Sequence, residues 1–276
     1  MAYLFSHVLT LVRGAGDLGS GAIYRLARAG FPVVACELPQ PSLVRRGACY
    51  GEAVYAGRFE LDGFCAVFAQ SLDEVQDALH SGMIPVIVDW DDSVCRTLQP
   101  AVVVDARMMK RNPDTRLSDA PLVLALGPGY EAGQDCHAVI ETNRGHFLGR
   151  VYWQGMAEAD TGEPGIVKGH THSRVLRAPT EGYVQSHAAI GDLIQEGGLI
   201  AQIGAASIAA PFTGVLRGLV HENVLVHAGM KIGDLDPRAS REHCFTISDK
   251  ALAVGGGVVE AVLAAPQIRR MLVAGD

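Results

Sequence analysis

Val12-Arg13-Gly14-Ala15-Gly16-Asp17-Leu18-Gly19-Ser20-Gly21 is the stretch whose reading decides the fold. A leucine- and valine-rich run, His7 to Val12, leads into it. Beyond it Leu18, Ala22 and Leu26 share one helical face at a spacing of four, with Arg25 and Arg28 off that face and Gly30 placed to end the helix. A second strand, Phe31 to Cys36, follows and closes on Glu37. The order is therefore strand, G-x-G-x-x-G loop, helix, strand, acid. Folds that bind dinucleotides use this order to bring backbone amides to a pyrophosphate and a carboxylate to a ribose diol.

A Rossmann-type fold follows from that reading, with Arg13, Gly14, Gly16, Asp17, Gly19 and Glu37 as candidate cofactor-binding residues. The glycines allow a phosphate to approach a helix N-terminus, where unpaired amides favour an anion. Asp17 adds a negative charge inside the loop, which Arg13 is placed to offset. A tight strand-to-helix turn holding no ligand is the alternative. If the ligand is NAD(P), Glu37 disfavours a 2′-phosphate, although Arg45 and Arg46 follow nearby.

Outward from the loop the α/β alternation continues. Gly63 to Ala69, Ile84 to Val88, Ala101 to Val104 and Leu122 to Leu126 read as strands, and Leu72 to Leu79 and Asp91 to Leu98 as helices. Runs of Val and Ile bounded by Gly, Pro and Asp suit a parallel sheet buried on both faces. Asp105 to Asn112 (DARMMKRN) begins past a strand's carboxyl end, the ligand side of an open α/β sheet, so Asp105, Arg107, Lys110 and Asn112 are site candidates. A solvated loop is the plainer reading.

Leu126 to Val151 (LGPGYEAGQDCHAVIETNRGHFLGRV) is dense in glycine and reactive side chains. Cys136, His137 and Glu141 are its catalytic candidates, and Asn143 and Arg144 its binding candidates. A thiolate is favoured by a cationic neighbour, yet adjacent strand residues point to opposite faces, so a buried, inert Cys136 is the competing expectation. His170 and His172 form an H-x-H that, with His146 or His137, would make a metal site; recognisable Cys or carboxylate ligands are missing, and no metal is expected.

From Arg177 to Asp236 an internal repeat appears: Ala178 to Val184 (APTEGYV) realigns with Ala210 to Leu216 (APFTGVL), and Gly197 and Ile200 with Gly229 and Ile232. Two such copies resemble the barrel-sandwich hybrid of biotinyl and lipoyl carriers. Gly204 to Ala209 at the central turn holds no lysine, which argues for a docking module over a swinging arm. In the tail, Ser248 reads as an N-cap for a helix ending in VVEAVLAA, and Gly255, Gly256 and Gly257 either interrupt that helix or admit a second backbone. The expected organisation is a Rossmann-like domain over 1–125, a site segment over 126–174, an all-β barrel-sandwich-hybrid domain over 175–238 and a helical tail over 239–276.

With 276 residues, of which 49% are hydrophobic and 19% charged, the chain can bury a large core. A net charge of −7 without a basic run excludes a nucleic-acid or anionic-membrane partner as the main business. Six cysteines are scattered, with no C-x-x-C pair. That spacing fits reduced thiols and a cytoplasmic protein. The N-terminus lacks the basic region and cleavage site of a signal peptide.

Six segments together resemble the YqeB family of selenium-dependent molybdenum hydroxylase maturation proteins. They are VRGAGDLGSG, DARMMKRN, the Leu126 to Val151 block, GEPG at Gly162 to Gly165, RAPTEGYV at Arg177 to Val184 and KIGDLDPR at Lys231 to Arg238. Asp160 and Glu163 depart from the family's pattern. The resemblance extends distantly to XdhC-type chaperones, which hold molybdenum cofactor in a Rossmann-like domain. It implies an accessory protein that binds a nucleotide or molybdenum cofactor (molybdopterin), docks on a molybdenum hydroxylase and has the option of self-association. In that setting Arg107, Lys110 and Arg144 would bind anionic groups, and Cys136 would carry a labile chalcogen, with the site residues of the Leu126 to Val151 block facing the glycine loop across a cleft. An NAD(P)-dependent oxidoreductase with His137 or His146 as acid/base is the alternative from a different class. A scaffold with an empty Rossmann fold is a third.

Overall fold

The computed structural model describes residues 3–160 and 172–274. The chain divides into two compact units, one of Met1–Pro39, Tyr50–Asp160 and Ile247–Asp276, the other of Gln40–Cys49 and Thr161–Thr246. This differs from four consecutive pieces. Residues 126–160 and the C-terminal helices belong to the first unit, and Gln40–Cys49 belongs to the second.

In the first unit the strands are β1 (Thr10–Arg13), β2 (Val33–Glu37), β3 (Arg58–Leu61), β4 (Phe64–Ala69), β5 (Ile84–Val88), β6 (Val102–Asp105), β7 (Leu122–Leu126), β8 (Glu131–Ala132), β9 (Ala138–Ile140), β10 (Val151–Tyr152) and β11 (Gly155–Met156). The helices are α1 (Asp17–Arg28), α2 (Ala53–Ala56), α3 (Leu72–His80), α4 (Ser93–Leu98), α5 (Asp249–Ala264) and α6 (Pro266–Ala274). Nine strands form one sheet in the order β10-β9-β7-β6-β1-β2-β5-β4-β3, and β8 pairs with β11. The inner seven run parallel, with β3 and β10 antiparallel at the edges. This is an α/β architecture compatible with a Rossmann-like domain.

Alternate residues of each inner strand feed different cores. Val12, Val33, Val102 and Leu122 pack in the core that contains α1 and α5, whereas Leu11, Val34, Val103 and Val123 pack in the core that contains α3 and α4. Ser248 caps α5, its hydroxyl accepting from Ala251 N at 3.2 Å. The three glycines do not interrupt that helix; two of them admit backbones. A Cβ on Gly255 would lie 2.3 Å from the Gly21 carbonyl oxygen, and one on Gly257 2.3 Å from that of Gly149, while Gly256 faces open space. Gly21 in α1 is equally tight against the Ala251 carbonyl, at 2.2 Å. The apposition of α1 and α5 therefore depends on missing side chains on both helices.

The second unit is built from short antiparallel strands: β12 (Val175–Arg177), β13 (Gly182–Tyr183), β14 (Gln185–Ser186), β15 (Leu193–Ile194), β16 (Leu199–Ile203), β17 (Ala206–Ala209), β18 (Gly214–Leu219), β19 (Leu225–Val226) and β20 (Lys231–Asp236). They form sheets ordered β12-β20-β18-β15, β13-β19 and β14-β16-β17. The sequence repeat is structural. The strands starting at Gly182, Leu193 and Leu199 recur at Gly214, Leu225 and Lys231, and β12, β13 and β15 each pair with a strand of the other copy.

Candidate functional site

Strand β1 lies between β2 and β6, and the chain leaves it first toward β2 and only later fills the β6 side. The carboxyl ends of β1 and β6 thus flank the point where strand order reverses, the usual ligand crevice of an open α/β sheet. Gly14, with φ of +92°, turns the chain there. A Cβ on it would press at 3.2 Å on the carbonyl of Ala106 and on Arg107 N, so the glycine loop is packed on the DARMMKRN loop. Gly19 fits because its missing Cβ would meet the Gly14 carbonyl at 2.0 Å. Gly16 caps α1 with no side-chain hydrogen bond, and Asp17 is the first helical residue.

Glu37 is spoken for by the loop itself. Its buried carboxylate accepts from Ala15 N at 2.6 Å and from Leu38 N at 3.1 Å. Burial pushes its pKa up against these two bonds. A ligand phosphate on the Ala15 amide would compete with this carboxylate.

The strongest polar assembly is one strand over. Asp105, fully buried at the end of β6, accepts from Arg107 N at 3.0 Å, from Arg107 Nη2 at 2.6 Å and from the Thr115 hydroxyl at 2.5 Å. Burial would raise its pKa, but the Arg107 and Thr115 bonds outweigh that and hold it below the usual carboxylate range. Arg107 also grips Asp114, and its pKa is raised because these two carboxylates outweigh desolvation. Thr115 Oγ1 accepts in turn from Arg13 Nη1 at 3.1 Å. Arg13, 4% exposed, is paired with Asp119 at 2.8 Å and Asp92 at 3.1 Å. Asn112 fastens the far end of the loop, donating to Thr115 O at 2.9 Å and to Asp135 at 2.7 Å. Tyr130 is fully buried with no hydrogen-bond partner for its hydroxyl among the described residues, and burial and the nearby Asp105 raise its pKa. The two guanidiniums expected to meet an anion are thus already answered by four carboxylates.

Beside Arg13 lies a cleft of about 770 Å³ between α4 and the turn Leu117–Asp119, lined also by Asp92, Cys95, Arg96, Arg116 and Asp119. It exists because the crossover from β6 to β7 contains one short 3₁₀ turn where a βαβ unit would lay a helix on the sheet.

The other candidates stand apart from this assembly. Cys136 is fully buried in the apolar core, and burial, with Asp135 and Asp105 nearby, pushes its thiol up to about 12. That is the inert alternative for Cys136, and it corrects the expectation of an activated thiolate. His137 Nδ1 accepts from Val123 N at 3.0 Å, and burial lowers its pKa. Val123 is level with Leu11, so His137 sits toward the amino ends of the strands, away from the glycine loop. Glu141 is fully buried, clamping Asn143 N at 2.7 Å and Glu158 N at 2.8 Å. Asn143 donates to Glu158, and Arg144 pairs with Asp249 at 2.8 Å on the surface. Lys110 pairs with Asp160 at 2.7 Å. β9 is three strands from β1, about 14 Å at ~4.8 Å per strand, and among the described residues the side-chain hydrogen bonds and ion pairs of Glu141, Asn143 and Arg144 go to one another, to Glu158 and to Asp249 and not to the glycine loop.

His170 and the Gly162 to Gly165 turn lie outside the described residues, so the H-x-H pair does as well. Among the described residues no cluster of three His, Cys, Asp or Glu is arranged to hold a metal ion, and no single helix is long and apolar enough to cross a membrane. Asp92, Thr115, Asp119 and Tyr130 escaped the sequence reading; a loop following a strand end, with Thr and Asp close behind an Arg, was the available signal.

Over 257 residues, 93% of this chain, the sequence is 47% identical to the uncharacterized protein YqeB of Escherichia coli (strain K12). The chain resembles YqeB. The similarity covers 48% of YqeB, so the chain spans about half the length of that curated relative. No protein-family model and no solved structure matches the chain.

Proposed function

We propose that this chain is a YqeB-family accessory protein that assists maturation of a selenium-dependent molybdenum hydroxylase in the cytoplasm. Its first unit binds a nucleotide or molybdenum cofactor at the carboxyl ends of β1 and β6. The second unit, a barrel-sandwich hybrid by its repeat, docks on the hydroxylase. The observation that carries the binding half is the meeting of two loops at the strand-order reversal, where Gly14 has no room for a side chain against Ala106 and Arg107. A phosphate-bearing ligand there would displace the Glu37 carboxylate from the Ala15 amide.

The oxidoreductase reading is weaker at one of its two acid/base candidates, because His137 is tied to Val123 N away from the loop, while His146 is exposed and packs edge-on against Phe147. A chalcogen on Cys136 requires the thiol to be uncovered first. Alkylation of the native chain tests this; modification of Cys136 at the rate of an exposed thiol restores the carrier role.

The deciding experiment is a mass spectrum of small molecules released on denaturing the purified chain, with and without Gly16→Val. We expect a pterin or nucleotide from the wild type and none from the variant. A ligand retained by Gly16→Val, or none from either even when the chain is produced alongside a molybdenum hydroxylase, overturns the proposal.

A further inference from the structure

The cleft beside α4 is a separate feature from the glycine loop, and its lining has an unusual arrangement of charge. Arg13 forms the floor, with its guanidinium almost wholly out of solvent and its Nε without a hydrogen-bond partner among the described residues. Arg96 and Arg116 line the same cleft, both exposed, and neither makes an ion pair among the described residues. Ser118 and Gln99 add neutral polar groups, while Pro100, Ala120 and Pro121 give an apolar wall. Three arginines line this cavity beside three carboxylates, Asp92, Asp114 and Asp119, of which Asp114 is paired with Arg107; the guanidinium's planar fork suits an oxyanion, because it meets phosphate or carboxylate oxygens two at a time.

Against this, two carboxylates already sit on Arg13, and they are held differently. Asp119 has one hydrogen bond beyond that from Arg13: its Oδ2 also accepts from Arg116 N at 3.1 Å, and its side chain is 17% exposed. Among the described residues the Asp92 side chain has only the 3.1 Å contact to Arg13 Nη2; it is 31% exposed and makes no capping bond to α4 although it stands at that helix's N-cap. Its backbone is left-handed, at φ of +60°, and Asp89 and Asp114 crowd it with like charge. Asp119 is built into the wall; Asp92 is an ionic partner with little else to keep it there.

We propose that this cleft is an oxyanion-binding site in which Asp92 occupies Arg13 as an internal substitute, and that the phosphate or carboxylate of a small ligand replaces it, held by Arg13, Arg96 and Arg116. The site stands whether or not the glycine loop holds a ligand. Exchange of one anion for another leaves the buried guanidinium neutralised throughout, which avoids the cost of an unpaired buried charge. Asp92, released to solvent, also escapes its neighbours' repulsion.

The test titrates the full chain with inorganic phosphate and, separately, with succinate, by calorimetry and by the shift in Tm. Wild type is expected to bind weakly and saturably. Asp92→Asn, which keeps the shape and removes the competing charge, should bind about tenfold more tightly. Arg96→Gln combined with Arg116→Gln, both on exposed side chains, should weaken binding about tenfold or more, while Gly16→Val leaves it unchanged. A preference for phosphate over succinate assigns a phosphorylated ligand, and the reverse a carboxylic acid. Equal or weaker binding by a folded Asp92→Asn chain, or undiminished binding by the double arginine variant, overturns the proposal. So does loss of binding in Gly16→Val, which would move the anion to the glycine loop and leave the proposed cofactor site standing.

Discussion

Asp105-Ala106-Arg107 in the first unit and Asp236-Pro237-Arg238 in the second are the same local device. In each an Asp at a strand's end, fully buried, accepts from the backbone N–H two residues on and from that residue's Nε and Nη2, the last at 2.6 Å in both. What differs is the surroundings. Arg107 goes on to Asp114 and Thr115, and through Thr115 to Arg13, so its turn anchors a network at the strand-order reversal. Asp236 is instead approached by a second arginine, Arg217, at 3.7 Å, which also lies 3.9 Å from Asp234. One turn has surplus carboxylate and the other surplus guanidinium. A shared local geometry therefore says nothing of a shared role; the charge around it does.

The comparison breaks first at its buried acids. Asp105→Asn leaves Arg13, Arg107 and Thr115 rearranged at once, and about 3–5 kcal/mol of first-unit stability should go, read as lost amide-exchange protection in β1 and β6. Asp236→Asn should cost less, about 2–3 kcal/mol, confined to the second unit. An equal loss in both would mean that the wider network adds nothing. Acid sharpens the same contrast. The Arg238 bonds and the Arg217 charge hold Asp236 down to about 2 against its burial. A depressed carboxylate stabilises fully above its unfolded pKa of ~4 and loses that contribution as pH falls toward the folded value. Second-unit stability should therefore decline between about pH 4 and 2, and Asp236→Asn should flatten the decline. Thr115→Val removes only the hydroxyl that joins Arg13 to Asp105, with about 1–2 kcal/mol expected in urea unfolding and no counterpart in the second unit. Smallest of all, Lys110→Met should leave stability unchanged, since its pair with Asp160 is largely in solvent.

How much of this was legible in the sequence depended on whether the signal was local. The glycine loop, the Ser248 cap and the 32-residue repeat were readable because each is set by neighbours in the chain. The hairpin of β3 and β4 was half missed. Gly63 to Ala69 reads as a strand, but Arg58-Phe59-Glu60-Leu61, an edge strand with alternate residues exposed, carries no apolar run to mark it. Glu37 was recognised as important and assigned outward to a ribose, when its partner is the Ala15 amide. Cys136 and His137 stood out by chemistry alone, and chemistry does not report burial or which end of a strand a residue occupies. The Arg13 network was invisible because Asp92, Thr115 and Asp119 reach it from two different loops, a conjunction created only when β5, β1 and β6 align.

The glycine contacts between α1 and α5 bear on how the protein is made. Every residue of α5 is translated after the repeat unit, which interrupts the first unit in the chain. As the ribosome proceeds, α1 emerges early with Gly21 and its apolar neighbours facing nothing. The inserted unit is synthesised in full before the helix that covers that surface exists. The stretch between is the window in which a chaperone has something to hold, and a chain halted before Asp249 would never leave it.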